Sequence, residues 1–261
     1  MYILGNIEHK HVRTNPKVCT EYERLRNISN HSSHQPLVSS NIMMNITLLN
    51  IRSLHKHSID IKFDSNLTTS DIIFLTETQL LPQSNDNEIV NNLQGFTLHR
   101  QDHTSDRYSS LALCYKDNII INQCDYFSSI NAVKYVLSND VNQFRTTVLL
   151  LYRKHSCNVL QYIDTLHYIL NSHDIDMILG DFNINYFNDD DIKPLKDMMD
   201  SHGFTQIIQS ATFVSAGTLL DHVYVTPAMY DITEHRVISV YYSDHDAVQL
   251  VIFIERKEET P

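Results

Sequence analysis

The chain has 261 residues, 42% of them hydrophobic and grouped in short dense runs, which is enough to bury a core in one large domain. Five Gly and six Pro exclude collagen-like and low-complexity organisation. The formal net charge of -11 argues against a simple polyanion binder, whose affinity would come from Lys and Arg. Acidic clusters that hold cations, with the cations meeting a phosphate, escape that argument in part.

Residues 1–44 are rich in Asn, Ser and His and show no sustained period, so they read as a loosely ordered leader. His9, His11, His31 and His34 lack compact ligand spacing and read as scattered surface residues. The expected domain spans residues 45–256, followed by a tail at 257–261.

Apolar runs between polar breaks predict strands at Ile46–Ile51, Ile72–Thr76, Phe96–His99, Leu111–Tyr115, Ile119–Ile121, Ala132–Leu137 and Thr146–Tyr152. Further strands are expected at Met177–Leu179, Val223–Val225, Arg236–Val240 and Ala247–Ile254. Helices are expected at Ser58–Asp64, Val159–Asn171 and Ile192–His202. In the second, Leu160, Ile163, Leu166 and Ile169/Leu170 step by three and four, giving one buried face. Many strands with few helices imply two packed sheets with helices outside.

The four cysteines form no CxxC pair and no Cys/His zinc spacing. Cys114, inside LALCY, reads as a buried reduced thiol, and an intracellular location is expected. No apolar run reaches the ~18 residues of a membrane span, and the apolar start of MYILGNIEHKHV is short for a signal peptide.

Polar residues stand at the ends of several strand-like runs: Asn50, Glu77, Tyr152, Asp181, Asn183, Asp221, Asp244 and His245. Any one alone reads as a turn former or helix cap. As a set they offer oxygen ligands for a hard cation, a base for water and donors for developing charge, which is what phosphodiester hydrolysis requires.

These residues lie in the blocks LNIRS, LTETQL, LYRKHS, LGDFNIN, LLDHVYV and YSDHDAV, in that order. The set resembles the endonuclease/exonuclease/phosphatase superfamily over about residues 45–255, which implies a four-layer α/β/β/α sandwich of two stacked mixed β-sheets flanked by helices. LNIRSL, LTETQL and LYRK resemble the mobile-element branch. RYSSLALCY, LLLYRKHS and VYYSDHDAV resemble the endonuclease-like domain of Helitron-type transposons. Retroelement nucleases carry a glycine-rich run where this chain has Ser109–Leu111, which departs from that assignment. A GxxxxGK[ST] phosphate loop is absent from the sequence.

The resemblance implies a Mg²⁺-dependent DNA endonuclease, with Mn²⁺ as a substitute ion. Glu77 and Asp244 would be metal ligands, with Asn50 binding the metal directly or through water. Asp181 would orient or deprotonate the attacking water. Asn183 and Tyr152 would donate to the phosphate. His245 would hold the phosphate as a cation oriented by Asp221. Arg153 and Lys154 are candidate contacts to the DNA backbone, with a solvated loop pair as the alternative, and Arg100 and Arg107 flank QDHTSD, a polar loop that would meet the minor groove. A monomer is expected, with a helicase or another transposon-encoded domain as a partner. The alternatives are a phosphatase or lipid phosphodiesterase on the same fold, and an inactive nucleic-acid-binding remnant.

Overall fold

The structure is a computed structural model that describes residues 42–104, 106–139 and 144–254. The leader histidines and most of the expected leader lie outside the described residues. Among the described residues, twelve strands form two six-stranded sheets. The first contains β1 (Ile42–Asn50), β2 (Ile72–Thr76), β3 (Thr97–Gln101), β4 (Leu111–Tyr115), β11 (Thr233–Ile238) and β12 (Ala247–Ile254). Its spatial order is β11-β12-β1-β2-β4-β3. The second contains β5 (Ile120–Phe127), β6 (Ala132–Asn139), β7 (Phe144–Tyr152), β8 (Met177–Asp181), β9 (Thr205–Gln206) and β10 (Asp221–Val225). Its order is β5-β6-β7-β8-β10-β9. Each sheet has one parallel pair near its centre, β1 with β2 and β7 with β8, and the other pairings are antiparallel.

The strand runs are apolar on both faces because both faces are covered. Met44, Ile46 and Leu48 of β1 point into the core between the sheets, while Leu49 points outward. In β8, Met177 and Leu179 face that same inner core and Ile178 faces outward. Helix α1 (Leu54–Phe63) covers the first sheet with Leu54 and Ile61. Helices α2 (Val159–Ser172) and α3 (Asp189–Ser201) cover the second. The expected four-layer sandwich is thus the observed one.

The expected elements are present with shifted ends. Strand β1 begins at Ile42, before the expected boundary at residue 45, and α3 begins at Asp189, ahead of the expected Ile192. Three aspartates fill the first turn of α3, where negative charge suits the helix dipole. Leu160, expected on the buried face of α2, is 59% exposed because the first turn overhangs the cleft described below. The two-residue β9 and the short helices at Ser65–Thr68, Asn87–Asn92 and Pro227–Tyr230 were below what periodicity detects. Cys114 is buried as expected, and burial pushes its thiol up to about 12. Among the described residues, no helix is long and apolar enough to cross a membrane.

One glycine is required. Gly180 lies opposite Leu151 in the β7/β8 register with φ +151°, and a Cβ there would meet the Leu151 carbonyl oxygen at 1.9 Å. That contact is with backbone, so it can be relieved only by moving a central strand. Gly180→Ala should therefore destabilise the domain by about 3 kcal/mol or prevent folding. Chemical denaturation of purified variant and parent measures this, and an unchanged midpoint would contradict the packing described.

Candidate active site

The parallel pairs end at the same place. Asn50 closes β1 opposite Thr76 of β2, and Glu77 follows directly. Tyr152 closes β7 opposite Asp181 of β8, and Asp221 opens β10 opposite the same Asp181. Sheet register therefore brings residues distant in sequence to one edge of the sandwich.

Hydrogen bonds join the two sheets there. The Asn50 amide donates from Nδ2 to Glu77 Oε1 at 3.0 Å and to Asp181 Oδ2 at 2.9 Å. Asp181 also accepts from the Asn183 backbone N–H at 2.9 Å and from Asn183 Nδ2 at 3.2 Å. His245 Nδ1 is 2.7 Å from Asp221 Oδ2, which leaves Nε2 as the nitrogen for a substrate. The Tyr152 phenol hydrogen-bonds Glu77, and burial together with the charges of Glu77 and Asp181 holds it far above the ordinary tyrosine range. Asn50, Glu77, Tyr152, Asp181, Asp221 and His245 are all buried, whereas Asp244 is exposed.

Burial and charge set the protonation states. Desolvation disfavours the His245 imidazolium, but the carboxylate of Asp221, its hydrogen bond, and the charges of Asp181 and Asp244 outweigh it and raise the imidazole to about 9. Burial first, and the neighbouring Asp221 charge second, raise Asp181 to about 7. A carboxylate near 7 is matched to accepting a proton at neutral pH. His222, adjacent in sequence to Asp221, is different. Burial lowers it to about 4, and it lies 2.9 Å from the Ile184 carbonyl and stacks on Phe182, so it is a neutral structural residue.

The backbone is unusual at the same edge. Among the described residues six non-glycine residues have positive φ, and Arg52, Ser53, Glu77, Gln79 and Asn183 belong to the site loops. Such conformations cost of order 1 kcal/mol each and are held by surrounding structure.

An open cleft of about 750 Å³ lies over these residues, lined by Arg52, Glu77, Asn183, Phe213 and His245 among others. The Phe213 ring lies 5.1 Å from that of His245. Size, a few convergent polar groups and the perturbed His245 together mark this cleft as the candidate site.

No protein-family model matches the sequence, and no curated protein matches it. Solved structures do match. The endonuclease domain of TRAS1, a telomere-specific non-LTR retrotransposon, superposes with TM-score 0.63 at 14% identity, over 83% of this chain and 100% of that one. An endonuclease/exonuclease/phosphatase family protein from Bacteroides thetaiotaomicron gives 0.59 at 11% identity, over 83% and 99%. This chain has the endonuclease/exonuclease/phosphatase fold. The AP endonuclease LMAP from Leishmania major, at TM-score 0.60 and 13% identity over 93% and 99% of the two chains, has it as well.

On this endonuclease/exonuclease/phosphatase frame, two groups of donors bear on a divalent cation. Glu77 and Asp244 both reach the Arg52 guanidinium, so a positive charge already lies between two oxygen donors of the type a hard cation prefers. Asn50 stands beside them, but it presents Nδ2 to Glu77 while its Oδ1 accepts from the Arg52 backbone N–H at 3.3 Å. Direct ligation by Asn50 therefore needs its amide turned. The second group is Asp181, Asp221 and His245, whose ligand atoms lie within 4.8 Å of one another, with Asp221 Oδ1 buried and without a hydrogen-bond partner. The raised imidazolium repels a cation there, so the Glu77 side fits better.

Of the four basic residues expected at the DNA, two are turned inward and two are exposed. Arg153 is buried, and its guanidinium donates to the carbonyls of Phe182 at 2.6 Å, Cys157 at 2.7 Å, Asn183 at 2.7 Å and Lys154 at 3.3 Å. It is a clamp between β7 and the Asn183 loop. Arg100 is paired with Asp86 and Asp102 and donates to two carbonyls, so its charge is neutralised locally. Lys154 is exposed but pairs with Asp106 at 2.8 Å. Arg107 is exposed, with its guanidinium 5.2 Å from the Tyr108 ring. Asn183 directs Nδ2 to the Arg153 carbonyl and Asp181, not outward.

Sequence reasoning missed four residues. Arg52 sits inside the LNIRS block, and its charge two positions after Asn50 was a usable signal. Thr212 Oγ1 accepts from the Asp221 backbone N–H at 3.1 Å. Ser243 Oγ donates to the Asn50 carbonyl at 2.6 Å. Neither they nor Phe213 carries a local pattern that points to the site.

A raised histidine stabilises the fold fully below its unfolded value of ~6.5, and that contribution is lost as pH rises through about 9. Asp221→Asn should cost about 3 kcal/mol at pH 6, and the deficit should shrink as pH passes 9. NMR of the labelled imidazole should show His245 titrating well below its parent value in the variant. An unshifted titration would dissolve the pair.

Proposed function

We propose that the chain is a divalent-metal-dependent phosphodiesterase of mobile-element origin that hydrolyses the DNA backbone. The carrying observation is the continuous chain Glu77–Asn50–Asp181 beside Asp221–His245. It gives oxygen ligands on one side of a cleft, a cation-forming imidazole on the other and a proton acceptor between them.

Glu77 and Asp244 would hold Mg²⁺ or Mn²⁺, with Asn50 after rotation of its amide. The ion would supply positive charge that neutralises a phosphate. His245, protonated through Asp221, donates from Nε2 to a phosphoryl oxygen and stabilises charge as it develops. Asp181, held by Asn50 and Asn183, takes the proton from an attacking water placed in line with the leaving oxygen. Tyr152 keeps its phenolic proton throughout and is a neutral donor. Products would be a 3′-hydroxyl and a 5′-phosphate.

The TRAS1 domain is described as an endonuclease of a retrotransposon, which supports both the substrate and the origin proposed here. A second reading is a phosphatase or lipid phosphodiesterase, favoured by the cleft wall at Asp190 and Asp191, whose charges oppose a long polyanion. Assaying supercoiled plasmid, an abasic oligonucleotide, a phosphomonoester and a phospholipid side by side, with Mg²⁺ or with chelator, separates these. Nicked plasmid only with Mg²⁺ is expected, and turnover confined to the monoester or lipid would replace DNA as substrate.

Asp181→Asn should lower kcat by about 10²–10⁴ while leaving DNA affinity near the parent value. Glu77→Gln should instead weaken Mg²⁺ binding, read by calorimetry. Equal metal binding by Glu77→Gln and parent would remove Glu77 from the ligand set.

A further inference from the structure

Arg52 is held where a cation is wanted. Its Nη1 pairs with Asp244 Oδ2, and its Nε lies 3.8 Å from Glu77 Oε2. Its side chain is 46% exposed and lines the cleft, so it has room to leave. Its backbone, by contrast, is fixed. Arg52 has φ 50° and Ser53 φ 130°. The Arg52 N–H donates to Asn50 Oδ1 at 3.3 Å, and its carbonyl accepts from Gln79 Nε2 at 3.1 Å. Ser53 caps α1 through Lys56 N at 3.4 Å. A left-handed arginine between a strand and a cap is unfavourable unless the surroundings impose it, and here they aim the guanidinium at two carboxylates.

We infer that Arg52 is an exchangeable internal counterion. It neutralises Glu77 and Asp244 while no divalent ion is bound, it competes with that ion for them, and it is released into the cleft when the ion arrives. Released, it stands beside the place a phosphate would take, on a side of the cleft where a planar, five-donor group suits anionic oxygens. The inference rests on the metal-dependent reading above, and it adds a cost to metal binding and a gain in anion binding from one side chain.

Two like charges brought near one cation without it would repel, so removing Arg52 has opposite effects on the empty and loaded protein. Arg52→Gln removes the charge at similar length. Arg52→Lys keeps it as a point charge that cannot reach both carboxylates in a fork. The measurements are Mn²⁺ affinity by electron paramagnetic resonance on the full chain, and Tm with and without saturating Mn²⁺.

Arg52→Gln should bind Mn²⁺ about tenfold more tightly than the parent. It should also melt lower without metal and gain more Tm on adding it. Arg52→Lys should fall between the two. Equal or weaker Mn²⁺ binding by Arg52→Gln, with the parent binding normally through Glu77, overturns this inference and leaves the proposed function standing. Absence of Mn²⁺ binding in parent and variants alike overturns both.

Discussion

One amide holds the site together. Asn50 Nδ2 donates to Glu77 and to Asp181, so a single side chain from the first sheet fixes a carboxylate of its own sheet and one of the second. Packing between the sheets is apolar and non-directional, and many small slides of one sheet over the other would keep it. The hydrogen bonds at the edge would not survive such slides, because Asn50, Asp181 and Asp221 are too buried to find water as a substitute. The sandwich supplies the burial, and the amide supplies the alignment.

Burial also explains why the site needs its supporting residues. Asp181 and Asp221 face each other across the β8/β10 register, and burial together with the Asp221 charge raises the proton affinity of Asp181. The imidazolium of His245 lowers that cost, and Thr212 and Ser243 fix the backbone on which Asp221 and His245 ride. Arg153 acts from beneath. Its four carbonyl acceptors tie the end of β7 to the loop that carries Asn183, a task needing a rigid fork and not a charge.

Much of this was legible in the sequence, and the reasons are specific. The dense apolar runs of β1, β2, β7 and β8 announced strands, and the polar residue at or just after the end of each run marked the edge where they converge. Periodicity placed α2 within a residue of its observed end. Arg100 and Arg153 were misread because a basic residue in a polar stretch looks the same whether it faces solvent or a ring of carbonyls. The turn that follows β7 decides this for Arg153, and the 81–86 loop with Asp102 decides it for Arg100. Arg52 escaped notice because its role depends on Asp244, which lies 192 residues away.

The left-handed residues at the site carry a consequence for the history and redesign of the chain. Glycine at Glu77, Gln79 or Asn183 would relax the backbone, since glycine accepts those dihedrals without steric penalty. Selection for thermal robustness alone would thus press against Glu77 and Asn183, two of the side chains that line the cleft. A mutational library screened only for yield or heat tolerance should accumulate its gains at this edge while losing whatever the cleft does, and the map of such gains would trace the outline of the site without any substrate being known.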